Sequence, residues 1–327
     1  MNESKDIVNL GLIFRLAGVL LLLAGLAGLF IAPMEIQVYS QFEEGGRHAY
    51  EGFGFGSLMF ANITVQIAGY YFIALTCIPL GYGHLRLRRW VRPAGETLLT
   101  DWLVLGLPLT LIAFLMLLTA KDIPSSALPL LIAIFLLLYP LLPGGLLLFY
   151  RSDGVRTLFE QDGSGPAALE EKPLAHLVLG SLLAFFALFL HLPLLFNGAF
   201  PLFGRYLFDL NGLLATQIAI AALIVVCWGV FRGRPWAWWA AVLYLILMML
   251  TATITFLVTT PADLFSGMHL AEMERQILDN VPLQSYQLLL LFVPPLLVTL
   301  ALLVTWRRTF GLGGKERRPR QVESEIA

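Results

Sequence analysis

Apolar residues come along this chain in blocks of about 20, each closed by a short polar or basic stretch. Eight such blocks stand at 10–32, 62–83, 98–119, 126–150, 174–196, 211–231, 236–259 and 283–306. A bilayer core of about 30 Å is crossed by about 20 helical residues. A helix also bonds its own backbone internally, which lipid demands. A membrane β-barrel would show alternating segments of about ten residues, and these blocks show none. The pattern predicts an all-α polytopic membrane protein with eight transmembrane helices.

The blocks repeat. Phe55-Gly56-x-x-Met59-Phe60 is matched by Phe203-Gly204-x-x-Leu207-Phe208, with Asn62 or Asn211 following. Each apolar run then closes on Gly, Arg-x-Arg and Trp: Gly83, Arg86, Arg88, Trp90 against Gly229, Arg232, Arg234, Trp236. We read two four-helix repeats, 1–150 and 174–306, joined by a cytoplasmic linker at 151–173 and followed by a disordered cytoplasmic tail at 307–327. An even number of spans per unit makes the repeats parallel, related by an axis near the membrane normal.

Charge orients the bundle. With the N-terminus inside, the outer segments hold Arg47, Lys121, Arg205 and Arg275, and the other Lys and Arg of the 21 fall on the inner face. Such a bias puts both termini in the cytoplasm and the protein in the plasma (inner) membrane. The bilayer is then the first partner, and other membrane subunits are candidates for a second. Only 13% of residues are charged and the net charge is -1, so no nucleic-acid partner is expected. Cys77 and Cys227 lie inside apolar runs and read as small packing residues.

Local signals refine the elements. Gly11, Gly18 and Gly25 form a small-residue face on span one. Alternation over 35–42 predicts a short hairpin in the first outer loop. Pro129, Pro140 and Pro143 predict a broken or bent span four. Span three is expected to begin near Thr97, with Asp101 in its first turn. Thr260-Pro261-x-Asp263 reads as a helix start before an amphipathic surface segment in 261–281.

No motif for catalysis stands out, no metal-ligand spacing is present, and no cofactor is implied. A haem held by His84 and His176, both near the inner face, is the weaker alternative to two solvated span-end histidines. The Thr251, Thr255, Thr259 stripe reads as helix packing, its hydroxyls bonded back to their own helix. What remains is a ring of polar residues at the outer span ends: Asn62, Gln66, His191, Asp209, Asn211 and Gln217. These are the candidate ligand-binding residues, and Asn62 and Asn211 are expected to face protein. The span centres hold no acid, on this placement of span three. The chain is therefore expected to bind or carry a small molecule or lipid between the repeats. A non-catalytic assembly subunit is the alternative, and an enzyme acting on lipid at the outer face, with His191 and Asp209 as acid and base, is the weaker one.

The topology makes a direct prediction. A reporter fused after Ala327 is active only when cytoplasmic, and one inserted beside Gly45 only when outside. Activity of both on one side removes the eight-span reading.

Overall fold

The computed structural model describes residues 3–42, 54–119, 126–161, 169, 171–268, 270, 272–280 and 284–312. Eight helices are long and apolar enough to cross a membrane. The chain runs α1 (Glu3–Tyr39), α2 (Leu58–Leu85), α3 (Val91–Thr119), α4 (Leu128–Leu136), α5 (Leu142–Tyr150), α6 (Asp153–Gln161), α7 (Leu174–Phe189) and α8 (Leu192–Leu195). A hairpin of β1 (Phe200–Leu202) and β2 (Arg205–Leu207) follows. The chain then continues through α9 (Asp209–Phe231), α10 (Pro235–Val258), α11 (Pro261–Ser266), α12 (Glu272–Asn280) and α13 (Ser285–Thr305). Span four consists of α4 and α5 with a π-helical turn between them at Leu137–Leu141. Pro140 lies in that turn and has no N–H to give the ladder, so the widened turn is where the helix absorbs the missing bond.

Consecutive spans pack as antiparallel neighbours: α1 on α2, α3 on α5, α7 on α9, α9 on α10, α10 on α13. The α3 helix also packs on α7 and α13, and so ties the earlier spans to the later ones. The α1–α2 contact is backbone to backbone. A Cβ on Gly18 would lie 2.8 Å from the Gly81 carbonyl oxygen, and one on Gly81 would lie 2.7 Å from that of Gly18. With no hydrophobic force between helices in lipid, close van der Waals contact of this kind supplies the attraction.

Several local arrangements occur twice. Gly83 sits under the Trp90 indole and Gly229 under that of Trp236, each too close for a Cβ. Arg88 N–H donates to Gly83 O at 2.8 Å, and Arg234 N–H to Gly229 O at 3.0 Å. The residue between the two basic positions is left-handed both times, Leu87 at φ 45° and Gly233 at φ 65°. Gly18 of α1 meets α2 beside Leu85, and Gly180 of α7 meets α9 at Phe231. After span four the chain returns Phe159 to Phe14, ring centroids 5.0 Å apart. After span eight it returns Phe310 to His176 at 4.5 Å.

Two sequence expectations change, and the Phe-Gly motif takes a different form in each copy. The alternating stretch 35–42 is not a hairpin: α1 runs on through Tyr39, and a turn follows at 40–42. Span three starts at Val91 instead of near Thr97, so Asp101 lies in the helix interior. The Phe-Gly motif is the opening turn of α2 in one copy, where Ser57 caps the helix by accepting from Phe60 N–H at 3.0 Å. In the other copy Phe203-Gly204 forms the tip of the β-hairpin, at φ 42° and 92°.

That tip is held from a distant helix. Phe203 N–H donates to Thr251 Oγ1 at 2.9 Å and Gly204 N–H to Thr255 Oγ1 at 3.0 Å. Both threonines are buried in α10. Thr255 and Thr259 do bond back to their own helix, as the sequence suggests. Thr251 instead gives its proton to Pro201 O at 3.2 Å. The stripe is thus a receptor for the turn. The tail expected at 307–327 begins with a 3-10 turn, Arg307–Phe310, and 313–327 lie outside the described residues.

Three substitutions follow from these contacts. Gly18→Leu forces α1 off α2 and lowers the thermal midpoint, with a cost of about 1–3 kcal/mol from overpacking. Gly145→Ala, where nothing lies within 4 Å of the added Cβ, leaves the midpoint unchanged or raised by up to about 1 kcal/mol. Thr251→Val strands the Phe203 N–H, and a thermal melt should read a loss of about 1–3 kcal/mol.

Candidate functional site

The two ends of the bundle differ in chemistry. One carries the basic turns after α2, α5 and α9, and here a carboxylate is buried. Glu96 is 6% exposed and lies between Arg92 Nε at 3.1 Å and Arg151 Nε at 3.8 Å. The pair clasps α3 to α5, where Gly95 approaches the Tyr150 ring. Beside it, the His84 ring is buried, with Nδ1 against Leu80 O at 2.6 Å and Nε2 against the Tyr150 hydroxyl. A proton on Nδ1 given to the carbonyl leaves Nε2 to accept from the phenol. His84 is therefore a packed, bonded residue, and not a solvated one. His176 is also buried, under Phe310 and against Gly233. The two histidines are engaged with different partners, so the structure does not bring them together as a haem pair.

The other end carries the hairpin. Asn197 Nδ2 donates to Asp209 Oδ1 at 2.9 Å and to Gly267 O at 3.2 Å. Glu274 of α12 accepts from Met59 N–H at 2.9 Å, which places a buried carboxylate at the start of α2. A small core of Ala199, Met268 and Leu270 lies under these contacts, with Leu58 and Phe208 packed on it. Asp263 closes the capping box on Thr260, whose N–H and hydroxyl hold its carboxyl below the usual range.

The six polar candidates all lie at this end. Asn62, Gln66, His191, Asp209, Asn211 and Gln217 are exposed. Asn62 and Asn211 therefore do not face protein, against expectation. His191 turns its Nδ1 back to Ala187 O at 2.8 Å. Asp209 joins Asn197, and no hydrogen bond links any two of the six among the described residues.

A cavity lies elsewhere, where the earlier spans meet the later ones. Its volume is about 310 Å³. From α3 it is lined by Ala94, Thr97 and Leu98, and from α7 by Leu177, Gly180, Ser181 and Ala184. Cys227 and Phe231 of α9 and Leu169 complete the wall. Asp101 stands one turn beyond Thr97 on α3 and is not itself part of the cavity wall. The residue is 8% exposed and lies beside Ser181, and its Oδ1 is buried with no hydrogen-bond partner among the described residues. Lys172 stands at the rim, its Nζ 3.8 Å from the centre of the Phe231 ring and donating to Phe231 O at 3.1 Å.

Asp101 is what reading by hydropathy misses. The apolar run begins at residue 98, which makes Asp101 look like a helix-end residue. The helix begins seven residues earlier, on a stretch whose charges are neutralised by one another. The signal available was the i, i+4 pair Arg92 and Glu96, which supports helix ahead of the apolar run. No group of three or more His, Cys, Asp or Glu that could hold a metal ion occurs among the described residues. Comparison with protein-family models, curated proteins and solved structures finds no match to this chain.

Proposed function

We propose that this protein binds, and passes across or along the bilayer, a small apolar molecule or lipid held between two parallel four-helix repeats, 1–150 and 174–306. The observation that carries the reading is the α3–α7–α9 cavity, which lies at the join of the two units and is walled chiefly by apolar side chains. Its volume is at the lower end of the range for small-molecule pockets. The paired Gly-Trp turns, the paired glycine crossings of α1 on α2 and α7 on α9, and the paired returning Phe rings support the duplication. They share one sense along the chain, which fits a parallel repeat. The concentration of arginines at one end favours that end, and both termini, on the cytoplasmic side of the plasma membrane.

The geometry favours the cavity over the exposed ring at the hairpin end. A ligand gains affinity from apolar walls, and the cavity offers them from three helices. The buried Asp101 also answers the main objection to a carrier, the lack of an ionisable group inside the spans.

The reading is tested by filling the cavity. Native mass spectrometry of the full chain released from nanodiscs should show a co-purifying molecule on the wild type. Ala184→Phe should remove it and leave the thermal midpoint within about 1 kcal/mol of wild type. Retention of the same molecule by a folded Ala184→Phe protein overturns the assignment of the cavity.

A further inference from the structure

Asp101 stands ten residues into α3, about 15 Å along the helix axis from Val91. The span runs from Val91 to Leu115, so the acid lies inside the membrane and not at its edge. Leu99 and Val104 are buried with it, and Val104 packs on Val178 and Leu182 of α7. An ionised carboxylate in such a place needs a counter-charge or several hydrogen-bond donors.

The elements packed on α3 supply neither among the described residues. Helices α4 and α13 contain no charged residue. The π-helical turn offers Tyr139, which covers Gly106. On α7 the titratable residue is His176, held under Phe310, and on α5 it is Tyr150, whose hydroxyl meets His84 of α2. Arg92 and Arg151 are paired with Glu96, and Lys172 with the carbonyl and ring of Phe231. Beside the acid is Ser181. Its Oγ lies 2.9 Å from Leu177 O and 3.0 Å from Val178 O, so its proton goes to its own helix. A hydroxyl so committed presents lone pairs to any other neighbour. An ionised Asp101 sets acceptor against acceptor, whereas a neutral acid brings the one proton the pair lacks.

We propose that Asp101 is a proton-binding site, a neutral carboxylic acid whose O–H donates to Ser181 Oγ and so clasps α3 to α7. The inference goes beyond the reading of the cavity and needs no ligand there. One proton is bound or released, and no other bond changes. Its loss leaves a carboxylate beside the Ser181 oxygen, away from water, and the two helices then part more readily. Since α3 ties the earlier spans to the later ones, that join is made sensitive to pH. The clasp is complete at low pH and is lost as pH rises.

The experiment is infrared spectroscopy of the full-length protein in a maltoside detergent, which has no carbonyl of its own. At neutral pH the wild type should show the C=O stretch of a protonated carboxylic acid. The band should fall reversibly as pH rises, and folded Asp101→Asn should lack it. Isotopic labelling of the aspartate carboxyls should shift the band, which carries the test should the Asn variant not fold. Ser181→Ala keeps the acid but removes its acceptor, and should move the band to higher wavenumber. Thermal melts read the clasp: the wild type should lose stability relative to Asp101→Asn as pH rises above the ordinary carboxylate range. No acid band in the wild type, its survival in Asp101→Asn, or its indifference to the label overturns the proton site. An unmoved band in Ser181→Ala overturns Ser181 as the partner, and identical pH profiles of the two melts overturn the clasp.

Discussion

Two helices in lipid have no hydrophobic reason to meet, because the tails around them are as apolar as their own side chains. Contact must come from shape and from the few polar bonds available. In this protein shape acts first at glycine. Gly18 and Gly81 bring two backbones to carbonyl contact, and Phe14, one turn before Gly18, is thereby laid against His84, Phe149, Tyr150 and Phe159. The aromatic deck at the arginine-rich end therefore depends on a crossing that no larger residue permits. The same logic recurs at Gly180, which lets Phe231 in and so forms one wall of the cavity.

Polar bonds act second, and most are closed within the protein. Trp238 donates to Leu303 O at 2.8 Å and Tyr244 to Ala219 O at 3.1 Å, each joining one span to the next. Buried side-chain atoms left without a partner among the described residues are few: Arg89 Nε, His176 Nε2, the Tyr206 hydroxyl and Asp101 Oδ1. Arg89 lies between helices, His176 in the first turn of α7 and Tyr206 in the hairpin. Asp101 alone stands well inside a membrane span. An open lone pair there is expensive, and Asp101 stands beside Ser181, a residue of the cavity wall. That coincidence is why the site is placed at α3 and not at the exposed polar ring.

The spans were legible because hydropathy over 20 residues is a property of the segment itself. Helix ends were less so. Val91 to Thr97 reads as a basic turn, yet it is helix: the Arg92–Glu96 pair is local, while Arg151, the second partner of the buried Glu96, comes from more than 50 positions away. The hairpin was missed for a related reason. Its turn lacks the Asn-Gly or Asp-Gly signal, and the tip is held by two threonines of α10, Thr251 on Phe203 and Thr255 on Gly204. Burial of His84 likewise depends on Tyr150. The capping box at Thr260 and Asp263, a local device, was readable in full. In each case the line falls between residues whose partners are near in sequence and residues whose partners are not.

Duplication sharpens the argument about where a site belongs. If the two units descend from one, each position in a repeat inherits a partner from its counterpart, and packing within a unit is already solved. On the proposed duplication, the contacts of α3 with α7 would have no such inheritance, because they would exist only where one unit meets the other. The two returning rings differ in what they meet: Phe14 under Phe159, and His176 under Phe310. A join assembled from faces that evolved for other neighbours is where close packing is hardest to reach, and it is there that this fold leaves both its cavity and its unpaired acid. An apolar face on α3 would have closed the gap at lower cost. The proposed carrier role would account for Asp101 being kept against Ser181.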